Sequence, residues 1–319
     1  MTQTNTKTAG IDTAKAKLDV AVHGAVDRLS VANDAAGWER LLAFLRRAGV
    51  GRVGIEATGG YERGVMGFLR AAGVTVLLLQ PLQVTAFAQL HLRRAKNDAL
   101  DAALIAACAT HMAEPSVPPD PRLPALADRL TFVEQIEEDI ARIKVRREHI
   151  ADPRQRRLIA ADIKRLEKRR ADELRRLIQV LHKHADLGLR FDLLLSIPCM
   201  AERTALGIVL RMPEIGQVSR EQAAALAGLA PFDDDSGARK GKRHISGGRA
   251  RLRRTLYMAA FAGAFHWNKA LMALYRRLTA RGKPPKLALV ACARKLIIFA
   301  NTVVQRGTPW KEKPEPLPT

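Results

Sequence analysis

The chain of 319 residues is long enough for two domains that each bury a core, and its 47% hydrophobic and 27% charged residues belong to an ordinary globular protein. Its 53 Lys and Arg against 32 Asp and Glu give a net charge of +21, which argues for a polyanionic partner, nucleic acid above all, over a merely basic surface. Three widely separated cysteines (Cys108, Cys199, Cys292) exclude zinc-knuckle spacing and a disulfide framework; the opening MTQTNTKTAG lacks a signal-peptide core, and no charge-free apolar run marks a membrane span, so no membrane partner and a cytoplasmic, nucleoid-associated place are expected.

Residues 8–110 alternate strands and helices. Strands are predicted at Ala9–Asp12, at Lys17–Val22 and in RLSVAN. In DAAGWERLLAFLRRAGV, Trp38, Leu41, Leu42 and Leu45 share a helical face, and Asp34 is placed to cap it. RVGIEATG reads as a strand ended by glycines, YERGVMGFLRAAG as a helix closed by Gly73, and VTVLLLQ as a buried strand. Helices follow near Pro81–Leu90 and Asn97–Thr110. Three antiparallel strands followed by alternating helices and strands predict a mixed α/β sheet, an order compatible with an RNase H-like fold. The first domain is assigned to 1–113, ended by the proline-rich EPSVPPDPRLP.

Two long helices are predicted over 122–186. Leu130, Val133, Ile136, Ile140, Ile143, Arg147 and Ile150 step by threes and fours, a seam broken at Arg147, and Ile159, Ile163, Leu166, Leu174, Leu177 and Leu181 resume the pattern after Asp152–Pro153. A hairpin or a kinked rod fits this, as an internal strut or as a dimerising coiled coil. Residues 190–311 read as mainly helical, and the tail 312–319 as flexible. The fold class is therefore α/β plus all-α.

Four acids stand out. Asp12 ends a strand in GID, Glu56 ends another in GIEATGG, and Asp98 and Asp101 in KNDALDAALIAA are spaced to share one helical face. Such hard oxygen donors suit Mg²⁺ or Mn²⁺, which assist phosphoryl transfer. Each acid singly also fits a turn or a helix cap.

The pieces GIDTAKAKLDVAV, GIEATGGYERGVMGFLRAAG, VLLLQPLQV, KNDALDAALIAACA, LLLSIP and AAALAGLAPFDDDSGARKGKRHISGGRARLRRTLYMAA occur in an order that resembles the DEDD-type transposases of bacterial insertion sequences. That group includes Piv-like DNA invertases and bridge-RNA-guided serine recombinases. The resemblance implies a RuvC-like, RNase H-like catalytic domain whose metal-binding tetrad is Asp12, Glu56, Asp98 and Asp101. It also implies a C-terminal transposase domain with Ser236 as nucleophile, donor and target DNA, a non-coding bridge RNA, and homodimers that assemble into tetramers on DNA. Two departures are visible. The Pro-Gly-Ile-Gly expected in the second domain reads PCMAER, residues 198–203, and the Thr expected before the first helix Asp is Asn97.

Ser236 is flanked by Gly237 and by Arg239, Lys240, Lys242 and Arg243; Arg249, Arg251, Arg253 and Arg254 form a second basic cluster. A serine that attacks a phosphodiester needs exposure, a base and positive charge for the developing oxyanions. Taken locally, DSG is a common turn, and Ser246 in HISGG is a rival; the resemblance selects Ser236. From 236 to 311 there are eighteen Lys and Arg and no Asp or Glu. Aromatics are sparse at 5%, so backbone and shape contacts, not a stacking platform, are the expected mode of nucleic-acid binding. Two other functions fit: a metal-dependent nuclease or junction resolvase without serine chemistry, and a non-catalytic nucleic-acid-binding protein.

Overall fold

The computed structural model describes residues 7–91, 98–113, 119–232, 241 and 243–312, with the backbone alone at 98–100. The chain divides into two compact units, residues 1–118 and 119–319. The first unit is built on β1 (Lys7–Thr13), β2 (Lys17–Val22), β3 (Arg28–Ala32), α1 (Ala35–Arg47), β4 (Val50–Glu56), α2 (Arg63–Ala71), β5 (Thr75–Leu79), α3 (Pro81–Leu90) and α4 (Asp98–His111). The strand order is β3-β2-β1-β4-β5; β1, β2 and β3 pair antiparallel, and β4 is parallel to both β1 and β5.

Strand alternation explains the layers. Ala9 and Ile11 of β1, with Val53 and Ile55 of β4, enter one core beneath Leu41 and Leu45 of α1 and Leu69 of α2. The intervening Gly10 and Gly54 face α4 on the other side, where a Cβ would collide with α4 backbone at Ala102 and Ala106, or with the Ala109 side chain. Their lack of side chains lets α4 lie directly on the sheet. Asp34 caps α1 as expected, accepting from the Gly37 N–H at 2.8 Å. Gly73, just past α2, takes a φ of +84°, which suits its role in ending the helix.

The second unit contains α5 (Leu123–Glu148), α6 (Pro153–His182), α7 (Ala185–Leu195), α8 (Glu202–Arg211), α9 (Arg220–Leu226), β6 (Pro231–Phe232), β7 (His244–Ile245), α10 (Ala250–Ala262), a π-helical turn (Gly263–Trp267), α11 (Lys269–Ala280) and α12 (Pro285–Arg306). Asp152 caps α6 by accepting from the Gln155 N–H at 2.7 Å, and α5 and α6 fold back on each other as a hairpin. The spaced isoleucines meet within it, Ile136 and Ile140 against Ile163, and Lys144 bridges to Glu167 at 2.8 Å. The hairpin thus uses part of the seam internally.

Helix α12 is apolar and long enough to cross a membrane by composition. Here it is a core helix: Leu289, Cys292, Leu296, Ile297 and Ala300 are buried among α7, α9, α10 and α11.

Candidate active site and basic surface

In the first unit, the register that pairs Ile11 with Ile55 brings the next residues, Asp12 and Glu56, to the same end of two adjacent parallel strands. By alternation both point to the face that Gly10 and Gly54 present to α4. Helix α4 runs antiparallel to these strands: Gly10 sits at Ala102 and Ala106, while the Arg52 guanidinium, near the start of β4, donates to the Met112 carbonyl just beyond the helix. Two strand residues advance about 7 Å, equivalent to between four and five helical residues at about 1.5 Å each. Asp12 therefore lies level with the N-terminal turn of α4, where Asp98 and the half-buried Asp101 stand. The Cys108 thiol of α4 is pushed up by burial and, further, by the nearby Glu56 charge, which agrees with Glu56 facing this helix.

A further acid lies at this end of the sheet. Asp19 of β2 is directly opposite Asp12, and like charges so placed destabilise a sheet unless a cation intervenes. Lys17 supplies one at 2.9 Å from Asp19. Sequence reasoning passed over Asp19 because its link to Asp12 is a matter of strand register. Glu62 was also missed. It is buried and shapes the glycine turn after Glu56, accepting from the Thr58 hydroxyl and from the N–H groups of Thr58 at 3.3 Å and Gly60 at 3.1 Å. Burial opposes its ionisation, but these hydrogen bonds outweigh that and hold the carboxyl below its usual range.

Among the described residues, no group of three or more His, Cys, Asp or Glu side chains is arranged to hold a metal ion. The Asp98 side chain lies outside that description. The donor set at this end of the sheet is all carboxylate oxygen, which fits Mg²⁺ or Mn²⁺ and not a thiolate- or imidazole-preferring ion.

In the second unit, β6 and β7 pair Pro231 with Ile245 and Phe232 with His244. The segment between them carries Ser236. Ser236, Arg239, Lys240 and Lys242 lie outside the described residues, whereas Arg243 and Ser246 are exposed on or beside β7. Gly228 and Gly248, both at positive φ, sit in close approach: a Cβ on Gly248 would strike the Gly228 backbone, and one on Gly228 would strike the Gly247 carbonyl and the Arg253 guanidinium. That contact seats α10, and the Arg249 N–H donates to the Leu226 carbonyl at 3.0 Å.

The four arginines of the second basic cluster differ in their ties. Arg249 pairs with Glu214 at 2.7 Å, and Arg253 donates to the carbonyls of Gly247 at 2.6 Å and Gly228 at 3.3 Å. These two brace the turn. Arg251 meets Glu134 of α5 at 3.1 Å and Arg254 meets Glu138 at 3.8 Å, yet their side chains remain 58% and 76% exposed. Glu134 is itself buried and held by Arg211 at 2.7 Å; burial opposes its charge, but Arg211 and Arg251 keep the carboxyl below its usual range.

Residues 9–152 match the family model of the DEDD transposases of the IS110 group, and residues 191–276 match the transposase IS116/IS110/IS902 family, so the two together span well over half of the chain. The chain belongs to the IS110 family of transposases. Pilin gene-inverting proteins of Moraxella lacunata and Moraxella bovis are each 27% identical to it over 138 residues, 42% of this chain and 43% of the relative. The aligned stretch is thus less than half the length of either curated relative.

For this IS110-family chain, the departure at PCMAER acquires a geometry. Cys199 has a φ of +77°, alone among the described non-glycine residues in being positive. That is the conformation glycine adopts without strain, so the turn keeps a glycine-like shape with a cysteine in place. Burial pushes the Cys199 thiol up to about 12, which makes it a packing group and not a nucleophile.

Proposed function

We propose that this chain is a DNA recombinase that cuts and rejoins strands of an insertion sequence, with an RNase H-like first unit carrying the metal-binding carboxylates and a second unit carrying the nucleophilic serine. The observation that most supports it is the placement of Asp12 and Glu56 at the ends of adjacent parallel strands, facing the helix that begins with Asp98 and Asp101. The strand order β3-β2-β1-β4-β5 supports the fold reading.

In this reading Asp12, Glu56, Asp98 and Asp101 hold the divalent ion. When bound, it supplies Lewis-acid stabilisation of charge on the phosphate oxygens. Ser236 Oγ attacks a DNA phosphodiester: an Oγ–P bond forms, the bond from phosphorus to one deoxyribose oxygen breaks, the serine proton passes to a base, and the released oxygen is protonated to a hydroxyl. Attack by a deoxyribose hydroxyl of another strand reverses the step and frees the serine. One phosphodiester is exchanged for another, so no energy source is needed. Arg239, Lys240, Lys242 and Arg243, close in sequence to Ser236, are assigned to the flanking phosphates. A bridge RNA selects the DNA, and dimers assembling into tetramers bring donor and target together.

The test is a denaturing gel of protein incubated with donor and target DNA and Mg²⁺. Wild-type protein is expected to leave a covalent protein–DNA adduct, and Ser236→Ala none, with DNA binding retained. Asp12→Asn and Glu56→Gln are expected to lower recombination by at least about 100-fold. Strand cleavage without an adduct supports the nuclease or resolvase reading instead. Full activity in Ser236→Ala discards the serine assignment.

A further inference from the structure

Helix α10 and the π turn after it carry one exposed stripe. Arg251, Arg254, Met258, Phe261 and Phe265 follow at steps of three and four, so they share a face, and all five are exposed. The stripe changes character along its length, from guanidinium to thioether to phenyl. Phe261 and Phe265 are 46% and 40% exposed with centroids 5.0 Å apart, and Tyr275 of α11 backs Phe265, also at 5.0 Å. Trp267 lies at the end of the π turn, 67% exposed.

The π turn creates this display. Gly263 and Ala264 are buried; a Cβ on Gly263 would sit 2.6 Å from Cys199 Sγ. Asn268, also buried, accepts from the Leu271 N–H at 3.1 Å and donates to the Pro198 carbonyl at 3.2 Å. Both ends of the turn are thus fixed to the core, while Phe265, His266 and Trp267 face outward in succession. Single-turn π insertions of this kind recur at functional sites.

We infer that this stripe is a stacking surface for the unpaired bases of an RNA loop, with Arg251 and Arg254 holding the adjoining phosphates. Large apolar groups clustered in the open mark a binding surface. Charge decides the partner: the chain carries a net charge of +21 and the stripe opens on two guanidinium groups 58% and 76% exposed, so a second copy would bring like net charge, whereas a polyanion is attracted. The choice between duplex and loop follows from base stacking. Duplex bases are already stacked on one another, and extruding one costs a few kcal/mol; RNA loops present bases unstacked, the form that aromatic side chains receive. A guanidinium has five N–H donors, so the contacts to Glu134 and Glu138 leave capacity for phosphate. This rests on the proposed RNA-guided reading and says where loop bases are held, but the binding needs neither Ser236 nor the carboxylates.

The experiment uses the full chain and a synthetic RNA hairpin with 2-aminopurine in its loop, read by anisotropy for affinity and by fluorescence quenching for stacking. Phe261→Leu and Phe265→Leu, which keep apolar bulk but remove the aromatic face, are expected to weaken hairpin binding about tenfold each and to relieve the quenching. Phe261→Tyr should retain both, and a blunt RNA duplex without a loop should bind all variants alike. Wild-type affinity in the leucine variants overturns the proposal. So does equal weakening for hairpin and duplex, tighter binding of a DNA hairpin of the same sequence, or a change in oligomeric state by light scattering with RNA affinity unchanged. Ser236→Ala is expected to bind the hairpin normally, so failure of the recombination chemistry and failure of this surface give different results.

Discussion

Glu62 shows how much of the site depends on single contacts. Its carboxyl is held below the usual range because hydrogen bonds from Thr58 and Gly60 outweigh the opposing effect of burial. A depressed carboxylate contributes stability that is complete above its unfolded value, about 4.3, and is lost as pH falls through its folded value. Glu62→Gln is therefore expected to destabilise the first unit by about 1–3 kcal/mol at neutral pH and by progressively less below about pH 4. Urea unfolding at pH 7 and pH 3.5 measures this; equal losses at both would refute the charge-based account. Asp12 and Glu56 were legible as strand-end acids because a terminal acid interrupts an apolar run. Glu62 and Asp19 were not, since the former gains its role from a turn and the latter from register.

The decisive element is α4, and the residues that seat it are glycines. Gly10→Ala would force a methyl into the carbonyl of Ala102, which is backbone and cannot swing aside. We expect it to cost about 1–3 kcal/mol and, by moving α4 off the sheet, to weaken Mn²⁺ binding measured by titration calorimetry in the same protein. Unchanged metal affinity would separate α4 from the metal site. The apolar spacing of α5 and α6 was readable along the chain, but not its partner. Pairing within one chain and pairing between two chains demand the same heptad-like pattern, and only the packing of Ile136 and Ile140 on Ile163 shows the internal use. The aromatic cluster proposed as a stacking surface was obscured for a related reason. A 5% aromatic content is an average, whereas the fold gathers Phe261, Phe265 and Tyr275 into one cluster.

For the molecule as a whole, a net charge of +21 predicts nucleic-acid affinity that falls steeply with salt. The structure divides the basic residues that produce it. Arg251→Ala and Arg254→Ala are each expected to lower the slope of log affinity against log salt by about 1, Arg254→Ala with little change in stability and Arg251→Ala with a modest loss because it also supports the buried Glu134. Arg249→Ala and Arg253→Ala should instead lower the unfolding midpoint, because they remove the partner of Glu214 and the donor that joins Gly228 to Gly247. Affinity measured across a salt series, beside thermal unfolding of the same variants, tests the division; a wild-type slope in Arg251→Ala and Arg254→Ala would show that neither is a phosphate contact, and an equal drop in all four would refute the division.

Read along the chain alone, the residues determined the alternation of strands and helices in the first unit, the caps at Asp34 and Asp152, the acid-free basic stretch and the acids at strand ends. These are local matters of periodicity, capping and composition. The tertiary structure decided what depends on residues far apart: that β4 lies parallel beside β1 so that Asp12 and Glu56 share an end, that Asp19 faces Asp12, and that Arg249 and Arg253 brace a turn while Arg251 and Arg254 stay largely exposed. Sequence encodes each side chain's preference for water or core, but an arginine's partner is set by the fold that brings a distant carboxylate within reach.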